Sequence, residues 1–133
     1  MRAYWDTSAL LALLFDEPLT ARARSARALF TENHAWSWLR IEAEAGAVRR
    51  DPGESWRAFL DPLLLATHWL EIPPAEHPAV LALNRRHRLR AAAAGHLYCF
   101  KRLSLVHPTA QLVCFDAELC AAARAEKLRV WSP

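Results

Sequence analysis

The chain has 133 residues, of which 53% are hydrophobic and 23% charged, with a formal net charge of +3 at pH 7. This length predicts one domain, residues 1–133, and is too short for two. No apolar run approaches the roughly eighteen residues that a membrane span needs, and no secretory signal precedes the first strand pattern. We therefore expect a soluble, cytoplasmic protein with no membrane partner. The modest basic excess favours a polyanionic partner without requiring one.

Short apolar strand patterns alternate with helical patterns along the chain. The first strand is predicted at Ala3-Tyr4-Trp5, and the helix-forming run Ala9–Leu14 follows it. The other four strands are predicted at 34–36, 68–72, 111–115 and 128–131. The other six helices are predicted near 17–30, 38–50, 54–66, 75–87, 89–103 and 117–127, and Ser37 is expected to cap the helix near 38–50. Strands that alternate with helices form a parallel sheet with helices on both faces, so the expected fold class is α/β.

Two aspartates stand where predicted strands end. Asp6 directly follows the first strand, and Asp116 follows the fourth. Either side chain can simply cap the helix that comes after it. If the first strand is central and the fourth lies beside it, however, both carboxylates reach the carboxyl edge of the sheet where the strand order reverses, which is where α/β proteins bind ligands. Two carboxylates in one crevice are a candidate metal site.

Glu42 is the natural third acid of such a site. It lies one turn into the helix after the second strand, and the small residues Ala43, Ala45 and Gly46 allow that helix to approach closely. The alternative is an exposed helix glutamate that pairs with nearby arginines, and the sequence leaves both interpretations open. A magnesium ion keeps several waters and needs only one or two protein carboxylates beside a substrate phosphate.

Basic residues are densest between positions 84 and 90. Arg86, Arg88 and Arg90 are candidates for contacts with RNA phosphates, which position a nucleic acid without reading its bases. A solvated corner between two helices is the alternative. Most of the six tryptophans are expected in the core, as are the thiols of the three cysteines, which show no paired metal spacing.

An ordered series of short motifs runs through the chain. The motifs are Asp6-Thr7-Ser8 after the first strand, Ser37-x-Leu39-x-Ile41-Glu42, Leu89-Arg90-Ala91-x-x-x-x-His96-Leu97, and Phe115-Asp116-x-x-Leu119-x-x-Ala122. From residue 2 to residue 131 this series resembles the PIN domain, and more narrowly the VapC-type toxin ribonucleases of bacterial toxin–antitoxin pairs. The resemblance implies a three-layer fold, in which a five-stranded parallel sheet of order 3-2-1-4-5 is flanked by about seven helices.

The resemblance also implies an activity and a set of acids. PIN-domain toxins are endoribonucleases whose four acidic residues bind Mg²⁺ or Mn²⁺, and they form dimers that a small antitoxin neutralises. Asp6, Glu42 and Asp116 match three of the four acidic positions, and Ala93 occupies the fourth. His96 matches a histidine that the family carries together with its fourth acid. We therefore expect a buried, hydrogen-bonded histidine there rather than a replacement ligand.

The expected function is hydrolysis of RNA phosphodiester bonds by a Mg²⁺- or Mn²⁺-dependent ribonuclease of a toxin–antitoxin pair. Asp6 and Asp116 would hold the ion, and Glu42 would hold it or orient the attacking water. The alternative is a PIN domain that lacks catalysis because of Ala93 and retains only the binding of RNA or antitoxin. A domain for a small phosphorylated ligand is disfavoured, because the three glycines form no phosphate loop.

Overall fold

Four parallel strands form a single sheet in the computed structural model, which describes residues 1–133. The strands are β1 (Arg2–Trp5), β2 (Glu32–Trp36), β3 (Thr67–Leu70) and β4 (Gln111–Val113), in the order β3-β2-β1-β4. Every neighbouring pair is parallel, because each connection between successive strands contains helices that carry the chain back across the sheet. The predicted α/β class is confirmed, and β1 is an inner strand beside β4.

Seven α-helices flank the sheet, as the sequence predicts. They are α1 (Thr7–Leu14), α2 (Thr20–Leu29), α3 (Leu39–Arg50), α4 (Arg57–Leu65), α5 (His77–His87), α6 (Ala91–Val106) and α7 (Ala117–Ala125). A 3₁₀ turn, Pro74–Glu76, precedes α5. The predicted Ser37 cap is wrong, because Trp38 is the N-cap of α3 and the Ser37 hydroxyl donates to Glu71 at 2.6 Å. None of the helices combines the length and apolarity needed to traverse a bilayer.

The predicted fifth strand, 128–131, is wrong. This segment meets β4 at one isolated parallel bridge. The amide of Leu112 donates to the carbonyl of Arg129, and the amide of Trp131 donates to the carbonyl of Leu112, both at 2.9 Å. Along a strand, the backbone N–H and C=O groups of successive residues point alternately to the two sides of the strand. Because β4 has only three residues, only its middle residue, Leu112, directs these groups away from β1 and toward 128–131. The strand order is therefore 3-2-1-4 rather than 3-2-1-4-5.

Successive side chains of β1 pack into different cores. Tyr4 lies in the largest cluster, to which α5, α6 and α7 contribute, whereas Ala3 and Trp5 lie with α1 and α2 on the other face. A further cluster joins α1 to α3 and α4. Because neighbouring residues of a strand point to opposite faces, the sheet is covered on both sides and the fold has three layers. The three cysteine thiols are buried and free, as the sequence predicts.

Helix α6 packs closely against β2 because Gly95 has no side chain. A Cβ atom at this position would lie 2.4 Å from Cζ3 of Trp36, far inside contact distance. The Trp36 ring also stands edge-on to the imidazole of the next helix residue, His96, with 5.4 Å between ring centroids. The close approach of the helix therefore fixes the position of His96 beside the end of β2.

Candidate functional site

Asp6 follows β1 directly and is the N-cap of α1. Its Oδ1 atom accepts a hydrogen bond from the amide of Ala9 at 3.2 Å, and the Ser8 hydroxyl lies 2.8 Å from both carboxylate oxygens. The predicted capping role is thus confirmed. The residue is only 4% exposed, it forms no ion pair with any lysine or arginine, and burial raises the pKa of its carboxyl group.

Asp116 occupies the equivalent place after β4. It is the N-cap of α7, and its Oδ1 accepts hydrogen bonds from the amides of Glu118 and Leu119 at 3.0 and 3.3 Å. Cys114 connects the two aspartates, because its thiol lies 3.5 Å from Oδ2 of Asp6 and accepts a hydrogen bond from the amide of Asp116 at 3.3 Å. Since β1 and β4 are adjacent and parallel, both acids lie at the carboxyl edge of neighbouring strands.

Glu42 reaches the same edge from α3. Its Oε1 accepts hydrogen bonds from the Thr7 hydroxyl at 3.0 Å and from Nε2 of His96 at 2.8 Å, while Oε2 has no hydrogen-bond partner in the chain. The side chain is 23% exposed and has no arginine partner. Glu44, two residues later, instead lies on the surface and pairs with Arg57 at 3.5 Å. The ordinary surface ion pair is therefore made by Glu44 and not by Glu42.

His96 is buried and hydrogen-bonded, as the sequence predicts. It is 3% exposed, and its Nδ1 lies 2.7 Å from the hydroxyl of Tyr4. The backbone amide of Trp36 donates to the same hydroxyl at 3.2 Å. Burial raises the pKa of Tyr4 well above its ordinary value, so the phenol stays protonated.

The three predicted acids are connected through their neighbours rather than gathered on one point. Thr7, Ser8 and Cys114 lie between them, and no three His, Cys, Asp or Glu side chains stand close enough together to hold a metal ion in this arrangement. Ala93 is half-buried in α6, one turn before His96, and packs against the core of that face.

The three candidate RNA-binding arginines have different surroundings. Nη1 of Arg86 binds both carboxylate oxygens of Glu126, at 2.9 and 2.7 Å, so this guanidinium group already has a carboxylate partner within the chain although its side chain is largely exposed. Lys101 and His87 bind the same carboxylate at 2.6 and 2.7 Å, and together these bases, with Lys101 as the largest cause, lower the pKa of Glu126 to about 2. The other two candidates, at positions 88 and 90, are exposed and form no ion pair.

Sequence reasoning missed the contributions of Tyr4 and Cys114 to this edge, and it named Thr7 only as part of a motif, without its contact to Glu42. Tyr4 carried a usable signal, because a tyrosine in a strand buried on both faces needs a partner for its hydroxyl. Thr7 and Cys114 carried none, since their contacts with Glu42 and Asp6 depend on how β1, α3 and β4 come together.

Comparisons with known proteins support the fold. The chain matches no model of a known protein family and no curated protein. It is similar in structure to a crystal structure of PAE2754 from Pyrobaculum aerophilum, with a TM-score of 0.59 and 22% sequence identity over 92% of this chain and 87% of that one. At this level of identity the likeness concerns the α/β fold, with its parallel sheet between helices, and it extends over nearly the whole chain.

Proposed function

We propose that this protein is a metal-dependent ribonuclease, similar to PIN-domain toxins of the VapC type, that hydrolyses RNA phosphodiester bonds. The observation that carries the proposal is a set of acids that form no ion pair with a lysine or an arginine. Asp6, Glu42 and Asp116 approach one edge of the sheet, and none pairs with a lysine or arginine, although the chain contains 17 such residues. A buried carboxylate without a compensating charge is unfavourable, and a bound cation would relieve that cost.

The donor set fits a hard divalent ion. Oε2 of Glu42 and Oδ2 of Asp116 accept no hydrogen bond within the chain, so both oxygens are available to an added ligand. Mg²⁺ and Mn²⁺ prefer oxygen ligands, and Mg²⁺ retains several waters while using only one or two carboxylates. Acids that are separated by intervening side chains are compatible with such a hydrated ion, which supplies an activated water and stabilises charge on the phosphate.

The residues of the chain would divide the work. Asp6 and Asp116 hold the ion, and Glu42 holds it or orients the attacking water. Arg88 and Arg90, whose guanidinium groups have no carboxylate partner, contact RNA phosphates and make binding dependent on salt. Arg86 contributes less because Glu126 already holds its guanidinium group. The proposed protein is cytoplasmic, forms a dimer with a second copy of the chain, and is neutralised by a small antitoxin protein.

A non-catalytic protein that binds RNA or an antitoxin is the second candidate. Ala93 favours it, because a methyl group there supplies no fourth carboxylate and the three remaining acids do not converge on one point. A non-catalytic protein would need the exposed arginines but not the acids.

Single-turnover cleavage of a panel of structured RNAs with Mn²⁺ separates the two candidates. For the ribonuclease we expect cleavage by the parent and by Glu118→Gln, which alters an exposed acid of α7 that forms no ion pair, and no cleavage by Asp6→Asn. We expect Ala93→Asp to cleave at least tenfold faster, which requires about 1.4 kcal/mol of additional transition-state stabilisation. RNA binding without cleavage by the parent and by Ala93→Asp would refute the ribonuclease and support the binding protein.

Metal binding has its own test. Mn²⁺ should raise the melting temperature of the parent by mass action, and this increase should be absent in Asp6→Asn. An equal increase in both proteins would place the ion elsewhere.

A further inference from the structure

We propose that Tyr4 and His96 form a buried hydrogen-bond relay that holds Glu42 with one carboxylate oxygen turned toward the carboxyl edge of the sheet. The two residues act through Glu42 and are positioning residues. The inference rests on the ribonuclease proposed above, because it assigns a purpose to the fixed position of Glu42.

The direction of the relay follows from its donors. The amide of Trp36 donates to the Tyr4 oxygen at 3.2 Å, so the single hydroxyl hydrogen is available for the other partner, Nδ1 of His96 at 2.7 Å. A nitrogen that accepts a hydrogen bond carries no proton, so a neutral imidazole must carry its proton on Nε2. Nε2 can then donate to Oε1 of Glu42, which lies 2.8 Å away.

A second donor secures the same oxygen. The hydroxyl of Thr7 lies 3.0 Å from Oε1 of Glu42, so two groups from two different elements, α1 and α6, converge on one oxygen of a third. Oε2 is left with no partner. With one oxygen held twice, rotation of the carboxylate is restricted and Oε2 keeps one direction.

The relay is buried at Tyr4 and His96 but partly exposed at Glu42. Tyr4 is fully buried and His96 nearly so, and the edge-on contacts of His96 with Tyr4 and Trp36 restrict its ring. Glu42, in contrast, is partly exposed. Outer hydrogen-bond partners of this kind fix the orientation of ligating or catalytic groups, and their loss typically reduces affinity or activity by 10- to 100-fold.

The tautomer of His96 tests the relay without reference to any activity. In ¹H–¹⁵N spectra of the folded protein we expect His96 to carry its proton on Nε2, with slow exchange against solvent. Tyr4→Phe should introduce the Nδ1-protonated form, because the donor to Nδ1 is removed, and Glu42→Ala should accelerate exchange of the Nε2 proton. The chain has one other tyrosine, and Tyr98→Phe, which removes a hydroxyl bonded to Glu76, should leave the spectrum unchanged.

Cleavage kinetics test the positioning role. Tyr4→Phe should lower kcat by 10- to 100-fold with little change in KM, and Tyr98→Phe should alter neither. His96→Gln keeps an amide donor for Glu42 and should retain more activity than His96→Leu, which keeps none. If His96→Leu does not fold, the two tyrosine variants alone still decide the question.

The possible failures are distinguishable. A parent in which His96 is protonated on Nδ1, or a Tyr4→Phe spectrum identical to that of the parent, would overturn the relay. The expected spectra together with equal kcat values for Tyr4→Phe and Tyr98→Phe would overturn its positioning role. If the parent cleaves no RNA, the ribonuclease proposal fails instead. Mn²⁺ affinity then replaces kcat as the readout, and equal affinity in both tyrosine variants would overturn the positioning role.

Discussion

Two buried carboxylates, those of Glu126 and Asp6, have opposite electrostatic surroundings. The Glu126 side chain is 6% exposed and is surrounded by three bases, Arg86, His87 and Lys101, that join α5, α6 and α7. Asp6 is buried to a similar extent, yet it receives only a hydroxyl, an amide and a thiol. The pKa of Glu126 is lowered to about 2 by its hydrogen bonds, above all that with Lys101, whereas burial raises the pKa of Asp6.

The difference shows which carboxylate serves the fold. Glu126 finds its counter-charges within the chain and needs nothing more. Asp6 carries the cost of desolvation without a neighbouring lysine or arginine, a condition that persists in proteins where function requires it. Acid-to-amide substitutions at the two sites should therefore change stability in opposite directions.

Glu126→Gln should cause the largest loss of stability. We expect the free energy of unfolding to fall by about 2 kcal/mol, which is less than the ~3–5 kcal/mol typical of a fully buried ion pair, because Arg86 and Lys101 remain partly accessible to water. Urea unfolding at pH 7 measures the change. Glu118→Gln, on the exposed side of α7, should change stability by less than about 0.5 kcal/mol, and similar losses in both variants would show that the three bases contribute nothing.

The difference in stability between the parent and Glu126→Gln should depend on pH. The folded pKa of Glu126, about 2, lies below its ordinary value of 4.5, so the unfolded chain binds this proton more readily. The stabilisation is fully present above pH 4.5 and is lost as the pH falls toward 2. Unfolding curves of parent and Glu126→Gln should therefore converge over that interval, and a constant difference between them would contradict the assignment.

Asp6→Asn should have a smaller effect of opposite sign. Asparagine caps helices as well as aspartate does, and it removes a buried charge that has no cationic partner, so we expect stability without added metal to rise by about 1 kcal/mol. Thermal unfolding in the presence of a chelator measures it. A loss as large as that of Glu126→Gln would mean that Asp6 is a structural carboxylate.

Histidines repeat the contrast on a smaller scale. His87 pairs with Glu126, but His34 lies among His68 and His107, and its Nε2 is buried without a partner. Burial and these two rings lower the pKa of His34 from 6.5 to about 4. The unfolded chain therefore binds the proton first, and stability falls as the pH drops from 6.5 toward 4.

His34→Val tests this assignment. The substitution should remove part of the pH dependence between pH 6.5 and 4, with a slope well below the ~1.4 kcal/mol per pH unit of one whole proton, because the imidazole is only partly buried. His77→Gln, at an exposed position, should retain the dependence of the parent. Identical slopes in parent and His34→Val would show that other groups cause it.

Much of the fold was predictable from local pattern. Strand and helix periods, together with the helical connections, were sufficient for the parallel sheet and the number of helices, whereas the order of its first four strands came from the resemblance to PIN domains. The prediction of a fifth strand failed because it was based on the strand-like composition of 128–131. Hydrogen bonding of this segment to the sheet depends instead on the length of β4, which has only three residues. The Ser37 cap failed because Glu71, a residue distant in sequence, accepts its hydroxyl.

The candidate site was predictable only in part. Asp6 and Asp116 were found because strand ends in a parallel sheet meet at one edge. Glu42 had two equally good interpretations, and only its contacts with Thr7 and His96 distinguish them. The contact between Tyr4 and His96 joins residues 92 positions apart, so no local pattern predicts it.

The close contact between Gly95 and Trp36 has a consequence for sequence variation. Neither residue can change size alone, since a methyl group at position 95 collides with the indole and a smaller ring at position 36 leaves a void. We expect the two positions to covary among homologues, so that larger residues at 95 accompany smaller ones at 36. A library that randomises both codons together should recover such compensated pairs, whereas single-site libraries should recover almost only the parental residues.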